Sequence, residues 1–456
     1  MLHQFNKLSI PLKISLSFLV TVLIGSGLLS LPISQAHSSE AVFFDHLFTA
    51  ISMVCVTGLY TQPVYLTYNL FGQVVSMILM SIGGLGILTI IAYLYYAINE
   101  RVSFSEQVAV TEALNRESVE DFKPFIKSVF KFVAMVEVVG ALLLMTYFIP
   151  DLGWKKGAFT SAFLSISAFN NAGFDNLGPT SLIAYSHVTI INIVIPMLII
   201  FGGLGFSVWN DLKEHFKQAT SWEDYISPKH LFRRLSLSSK VAITVTGALL
   251  LSGTVLFYLL EVGHTMVGSA FVDQLKISFF QSTTMRTAGF ATVNYTKLHT
   301  ATLLICTIFM FIGGSPGGTA GGVKTTTCAI IGKMILSEMR GEQQVIFFRR
   351  LIDKKAVQKS LIIAMTFLAI IVTSIIAITL LDSWVDLEFV IFEVVSALAT
   401  VGVTADLTPE LSRMSQTIIM VLMFIGRVGP ITIFTALKLK KSSPDVQRAT
   451  GQILIG

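Results

Sequence analysis

One short skeleton, Phe-x3-(Ser or Thr)-x5-Gly, occurs four times in this chain and limits its fold more than any other feature. The copies are Phe48/Ser52/Gly58, Phe163/Ser167/Gly173, Phe279/Thr283/Gly289 and Phe392/Ser396/Gly402. Their glycines follow one another at intervals of 115, 116 and 113 residues. Self-similarity at a near-constant period marks one structural unit used repeatedly. The bland alternative, four coincidental turns, does not account for the even spacing.

Charged residues make up only 13% of the chain and apolar ones 53%, with a mean hydropathy of +0.73. Ordinary soluble domains carry about 25% charge, so the apolar surface here meets lipid. The net charge of +5 is therefore no sign of a nucleic-acid partner. Cys55, Cys306 and Cys328 lie in apolar or glycine-rich segments without paired spacing, which argues against a disulfide framework or a zinc site. Lys7 and Lys13 precede an apolar run without a convincing cleavage site near Leu31–His37, so an uncleaved first membrane helix is expected.

Each repeat reads as a spanning helix, a short apolar half-helix, the glycine and a second spanning helix. The repeats cover residues 13–99, 127–210, 240–339 and 359–438, followed by a tail at 439–456. The half-helices, such as 43–53 and 158–168, fall short of the ~20 residues a hydrocarbon core needs. Such a segment dips in and turns back, shielded from lipid by its neighbours. The expected fold is all-α and integral to the membrane: four tandem helix–re-entrant loop–helix repeats, eight spans in all, around a pseudo-fourfold pore. Placing the N-terminus in the cytoplasm puts 26 of the 32 basic residues inside, within 101–131, 213–240, 324–359 and 427–448 above all. The six on the opposite side are Lys155, Lys156, Lys276, Arg286, Lys297 and Arg413. The outer acids Glu40, Asp45, Asp175, Asp382, Asp386 and Asp406 are either a solvated face or a vestibule that concentrates cations.

Aligned on the glycine, the turns read Val56-Thr57-Gly58, Asn171-Ala172-Gly173, Thr287-Ala288-Gly289 and Thr400-Val401-Gly402. No polar side chain recurs in all four, so what they share is backbone. Four loops around one axis would present rings of carbonyl oxygens, which replace the hydration shell of a monovalent cation. Glycine permits a backbone geometry closed to residues with a β-carbon, and half-helix C-termini aimed at the axis favour cations over anions. The Ser or Thr six residues before each glycine is expected to bond to the backbone behind the turn, and the four phenylalanines to pack. Arg286 is the odd member; its side chain is expected to point away and to pair with an acid, Glu393 being the guess.

Four linked repeats with these turns resemble the superfamily of Ktr, Trk and HKT potassium transporters over almost the whole chain. The eight-helix length is most similar to the Ktr membrane subunit (KtrB type). The resemblance implies that glycine at all four filter positions goes with potassium preference, whereas serine in the first repeat marks sodium-permeable members; Gly58 is on the potassium side. It further implies a bacterial cell-membrane protein with cytoplasmic termini. The resemblance also implies a homodimer docked on a cytosolic ring of nucleotide-binding RCK-type subunits (KtrA or KtrC), with sodium as an activator.

The return helices carry Gly83-Gly84-Leu85-Gly86 and Gly202-Gly203-Leu204-Gly205, read as close packing through small residues. The third repeat departs, with Gly313, Gly314, Ser315, Pro316, Gly317, Gly318, Thr319, Ala320, Gly321 and Gly322, then Lys324. Six glycines and a proline in ten residues cannot stay helical, at about 1 kcal/mol per Gly and 3 for Pro. Broken backbone at that depth lines protein or a water-filled cavity, and in the family resembled this segment is the intramembrane gate. Arg427 stands where the other repeats have glycine. It either caps the loop's carbonyls as a positive barrier or serves as ordinary positive-inside anchoring.

The eight histidines sit in loops or near helix ends, with no His-x3-His or paired acids inside a span, which excludes an intramembrane hydrolase. Parallel repeats favour one axial ion path over an organic-solute site between inverted halves. No Gly-x4-Gly-Lys-(Ser/Thr) or Rossmann pattern occurs, so no organic cofactor is expected and nucleotide control would come from another chain. The basic segments 214–240 and 340–359 and the C-terminal tail are docking surfaces for that chain or anchors on membrane lipid.

Overall fold

A computed structural model describes residues 9–97, 102, 104–113, 122–219, 232–342, 344–430 and 432. The expected tail at 439–456 and part of the expected docking segment 214–240 lie outside the described residues. Four first helices are long and apolar enough to cross a membrane: α1 (Ile10–Ser30), α5 (Phe122–Leu152), α9 (Leu237–Glu261) and α13 (Lys354–Leu381). Side chains such as Leu23, Leu142, Leu251 and Met365 stay exposed on them, as lipid-facing residues do.

Each first helix is followed by a short one: α2 (Phe43–Val54), α6 (Trp154–Phe169), α10 (Phe271–Thr284) and α14 (Leu387–Leu398). They have 12, 16, 14 and 12 residues. At 1.5 Å rise per residue none spans a hydrocarbon core of about 30 Å. Phe48, Phe163 and Phe392 are fully buried beside them, as expected of packing residues. In the third repeat the buried ring is Phe280, whereas Phe279 is only partly covered. The third copy is thus set one residue late.

The second helices are α3 (Leu70–Leu85) with α4 (Ile87–Ala97), α7 (Thr189–Gly203) with α8 (Phe206–Ala219), α11 (Thr300–Phe311) with α12 (Thr325–Met339), and α15 (Arg413–Val428). Asn69 and Ser412 cap α3 and α15 by accepting from first-turn amides. Straight second spans are not what forms. The α3–α4 and α7–α8 pairs bend by 93° and 95°, because Gly86 (φ 79°) and Gly205 (φ 94°) take a backbone conformation in which a helix cannot continue. Gly429 (φ 91°) ends α15 in the same way. The other glycines of the motif do pack closely. A β-carbon at Gly83, Gly202 or Gly426 would strike the carbonyl oxygen of Val54, Phe169 or Leu398, four residues before the glycine of its repeat's turn. These glycines let the inner helices touch the turns from behind.

Candidate ion pathway

Where each half-helix ends, the chain makes the same two-step excursion. The residue two before the glycine has positive φ in every copy: Val56 (50°), Asn171 (56°), Thr287 (69°) and Thr400 (53°). The glycines follow with φ of 107° at Gly58, 72° at Gly173, 83° at Gly289 and 91° at Gly402. A left-handed β-branched residue is uncommon and costs on the order of 1–3 kcal/mol. Three of the four residues are β-branched and the fourth is an asparagine, which tolerates this region, so the shared conformation at one register points to a required geometry.

The glycines meet in cyclic order. A β-carbon at Gly58 would lie 3.0 Å from the Ala172 carbonyl oxygen, and one at Gly173 would lie 2.7 Å from Gly289 Cα. At Gly289 it would stand 3.0 Å from the Val401 carbonyl oxygen and 3.1 Å from that of Thr57. At Gly402 it would overlap the Thr57 oxygen, with Gly58 Cα 2.8 Å away. Neighbours therefore run 58–173–289–402 and back to 58.

The amides of the turns are fastened behind. Thr57 N–H donates to Ser52 O (2.9 Å), Ala172 N–H to Ser167 O (2.8 Å) and Val401 N–H to Ser396 O (2.8 Å). Ser52 Oγ and Ser396 Oγ accept from Gly58 N–H and Gly402 N–H, each at 3.1 Å, and Ser167 Oγ accepts from Phe174 N–H at 2.9 Å. Thr283 breaks the expectation by donating within its own helix to Phe279 O; Thr284 next to it donates to Phe290 O at 2.7 Å instead. Among the described residues, no hydrogen bond reaches the carbonyls of Thr57, Ala172, Ala288 or Val401. The hydroxyls of Thr57, Thr287 and Thr400 are buried without a partner as well. Unpaired oxygens at such depth are costly in an empty protein interior and suit a site that hosts a cation.

Arg286 does not pair with Glu393. Its Nη2 donates to Thr246 Oγ1 (3.2 Å) on α9 of its own repeat. Glu393 instead accepts from the hydroxyls of Thr404 (2.9 Å) and Thr408, which follow Gly402. The guess failed because each group finds a nearer hydroxyl within its own repeat.

Beneath the turns lies the irregular segment 312–324 between α11 and α12. Ser315 N–H and Thr319 N–H donate to Gly203 O (2.9 Å) and Gly202 O (3.1 Å), and Phe206 N–H donates to Gly317 O (2.9 Å). A β-carbon at Gly321 would meet Thr400 Oγ1, and one at Gly322 would lie 3.3 Å from Ala399 O. The segment therefore sits directly against the turns. Arg427 reaches it from α15, donating Nη1 to Thr319 O and Nη2 to Gly83 O and, at 3.0 Å, Gly84 O. Lys324 Nζ donates to Ala320 O at 2.7 Å. A cavity of about 430 Å³ opens below, lined by Gly84, Gly318, Gly322, Lys324 and Arg427 among others.

The outer acids divide. Asp45 pairs with Arg413 Nη1 at 2.6 Å and accepts from Thr61 Oγ1 at 2.8 Å, tying repeat one to repeat four. Asp382 accepts from Ser412 Oγ at 2.9 Å. Asp175 lies two residues past Gly173, and burial pushes its carboxyl up to about 6 against hydrogen bonds from Leu177, Ser181 and Gly178 that pull it down. Together with Asp406 it acts on Tyr60, two residues past Gly58. Asp175 thus holds a proton at higher pH than an ordinary carboxylate, and a fall in pH neutralises it. A unit charge within several ångströms of a cation supplies roughly 1 kcal/mol of attraction at high effective dielectric. Half-saturating ion concentration for uptake is expected to rise several-fold as external pH falls through 6, and Asp175→Asn to remove that dependence. Rubidium influx at pH 5.5 and 7.5 measures it, and an unchanged pH dependence in the variant removes Asp175 from the mouth.

Sequence reasoning missed the orphan hydroxyls, the Asp45–Arg413 tie and Glu137. Glu137 Oε1 accepts from Asn170 Nδ2 at 2.9 Å behind the second turn. An acid in the middle of the 31-residue apolar helix α5 was the available signal.

The family model TrkH, described as a cation transport protein, matches residues 4–448. The chain belongs to the TrkH family. It is 37% identical over 445 residues to the potassium/sodium uptake protein NtpJ of Enterococcus hirae, covering 96% of this chain and 95% of that protein. It is 35% identical over 447 residues to Ktr system potassium uptake protein B of Bacillus subtilis, covering 97% and 96%. The crystal structure of the potassium transporter TrkH from Vibrio parahaemolyticus superposes with a TM-score of 0.71 at 16% identity, over 94% of this chain and 84% of that one. That likeness is one of fold. As a TrkH-family member the chain is a multi-pass membrane protein of cation transport, not an enzyme.

Proposed function

We propose that this TrkH-family protein is the ion-translocating subunit of a potassium uptake system. Potassium crosses a filter of main-chain oxygens supplied by Val56–Gly58, Asn171–Gly173, Thr287–Gly289 and Thr400–Gly402. The observation that carries this reading is the paired positive φ at one register of all four turns, whose glycines stand in mutual contact. Carbonyls freed by that alternation and backed by fastened amides substitute for the water of a weakly hydrated cation. Residues 313–322 with Lys324 and Arg427 form the gate. A cytosolic nucleotide-binding ring of the RCK type sets its position, the protein works as a homodimer in the cell membrane with both termini cytoplasmic, and sodium stimulates it. The naming of relatives as Ktr system proteins supports the partnership.

A second reading, mixed potassium and sodium transport, is favoured by the name of the Enterococcus hirae relative. Gly58→Ser separates filter from bystander. Its φ of 107° is strained for serine, and the added β-carbon would press on the Ala172 oxygen at 3.0 Å. The variant is expected to lower the rubidium-to-sodium uptake ratio by roughly tenfold, about 1.4 kcal/mol of discrimination, in a host deficient in potassium uptake. An unchanged ratio removes the filter reading.

A further inference from the structure

The 95° bend between α7 and α8 leaves α8 running across the direction of the spans. Between α8 and the spanning helix α5 is a cavity of about 550 Å³, walled by Val129, Phe132, Met135, Phe206, Trp209 and Phe216. Trp209 is held by its stack on Phe132 (5.0 Å between centroids) and by donating Nε1–H to Phe201 O at 2.8 Å. A buttressed tryptophan at the end of a span is typical of the membrane–water boundary. One lysine, Lys213, lines the cavity. Lys213 Nζ donates to Ser128 Oγ at 2.8 Å, and the exposed Lys131 follows Ser128 by about one turn of α5. Of the acids of α8, Asp211 is engaged away from the groove, with His215 at 3.3 Å and with Ser236 N–H, whereas Glu214 accepts from Asn210 at the groove's edge.

We propose that this groove is a regulatory lipid site. It takes an acyl chain of a phospholipid from the leaflet on the basic side, with the anionic headgroup against Lys213 and Lys131. Charge complementarity fixes the class of occupant: an apolar wall alone suits any lipid, whereas the Lys213 ammonium in that wall, with the exposed Lys131 one turn along α5 from its partner Ser128, selects an anionic one. The site reaches the pathway through one residue. Phe206 contributes its ring to the groove, and its amide holds Gly317 O of the segment 313–322 at 2.9 Å. Next to it, a β-carbon at Gly205 would stand 2.5 Å from Pro316 O, so α8 and the loop cannot move independently. A lipid that fixes α8 holds the loop in place and lowers flux. This last step rests on the reading of 313–322 as the gate; lipid binding does not.

The test uses the full-length protein purified in detergent and challenged with phosphatidylglycerol or phosphatidylcholine. Retained lipid is counted by native mass spectrometry, and rubidium flux is measured in phosphatidylcholine vesicles with and without phosphatidylglycerol. Wild type and the charge-preserving Lys131→Arg/Lys213→Arg protein are expected to retain phosphatidylglycerol and to slow when it is present. Lys131→Gln/Lys213→Gln should lose retention on the order of tenfold, in line with the attraction of juxtamembrane lysines for anionic lipid. Met135→Trp, which fills the groove without touching charge, should lose it too. Equal retention by all four proteins overturns the site, as does a change of oligomer mass in place of lipid loss, which would mark a second copy as the occupant. Lost retention with flux unaltered in every lipid keeps the site and overturns its link to the loop.

Discussion

Gly402→Ala is expected to leave a protein that reaches the membrane but takes up rubidium about two orders of magnitude more slowly. At Gly402 φ is 91°, and an added β-carbon falls on the Thr57 carbonyl oxygen. The strain itself costs only on the order of 1–2 kcal/mol, which a protein with a large buried core tolerates. The collision matters more. Alanine can be seated only if turn one or turn four retreats, and a misplacement of about 1 Å in a constellation that works by position costs on the order of 100-fold. Gly178→Ala is the control, since a β-carbon there meets nothing within 4 Å. Uptake by Gly402→Ala within a few-fold of that control would show that the four turns do not line the path.

Arg427→Ala is expected to act in the opposite direction and raise flux. The guanidinium bridges Thr319 of the irregular segment to Gly83 and Gly84 of repeat one. Hydrogen bonds from a charged donor are worth about 1.5–3 kcal/mol each. Losing even one such increment from the closed state shifts a two-state equilibrium by roughly ten- to a hundred-fold. Rubidium flux into proteoliposomes should therefore rise about tenfold or more, and deletion within 313–322 should do the same. Arg427→Lys keeps the charge but cannot hold both segments at once, so it should also leak. If the residue only anchored the helix by its charge, lysine would behave as wild type and alanine would be made in smaller amounts without leaking.

The repeat was legible because four glycines at near-equal spacing leave little freedom to any other fold. The half-helices were legible too, since 12 to 16 residues cannot cross a bilayer. Broken backbone at 313–322 followed from glycine and proline content alone. The right-angle bends were not legible. Gly86 and Gly205 stand in motifs that serve close packing equally well, and only the surrounding fold shows that the third glycine breaks the helix while the first packs. Register in the third repeat also escaped. Phe279 and Thr283 satisfy the skeleton, but Phe280 and Thr284 do the packing and the bonding, because this turn closes over four residues, Ala288 N–H on Thr284 O, where the other three close over five. The partner of Arg286 was out of reach for a simpler reason: tertiary distance decides it, and Thr246 stands 40 residues away in sequence.

Likeness among the quarters ends below the ring. Two of them continue into a helix broken at a glycine and a third into a helix that ends at one, Gly429, whereas the remaining one continues into thirteen residues without regular structure, residues 312–324. On the proposed reading of 313–322 as the gate, an obstruction built from one quarter moves sideways out of the path, without any agreement among the other three. Opening of such a gate is a single event in each chain with no cooperativity of its own, and any steepness in the response to an effector has to originate in whatever grips that one segment from outside.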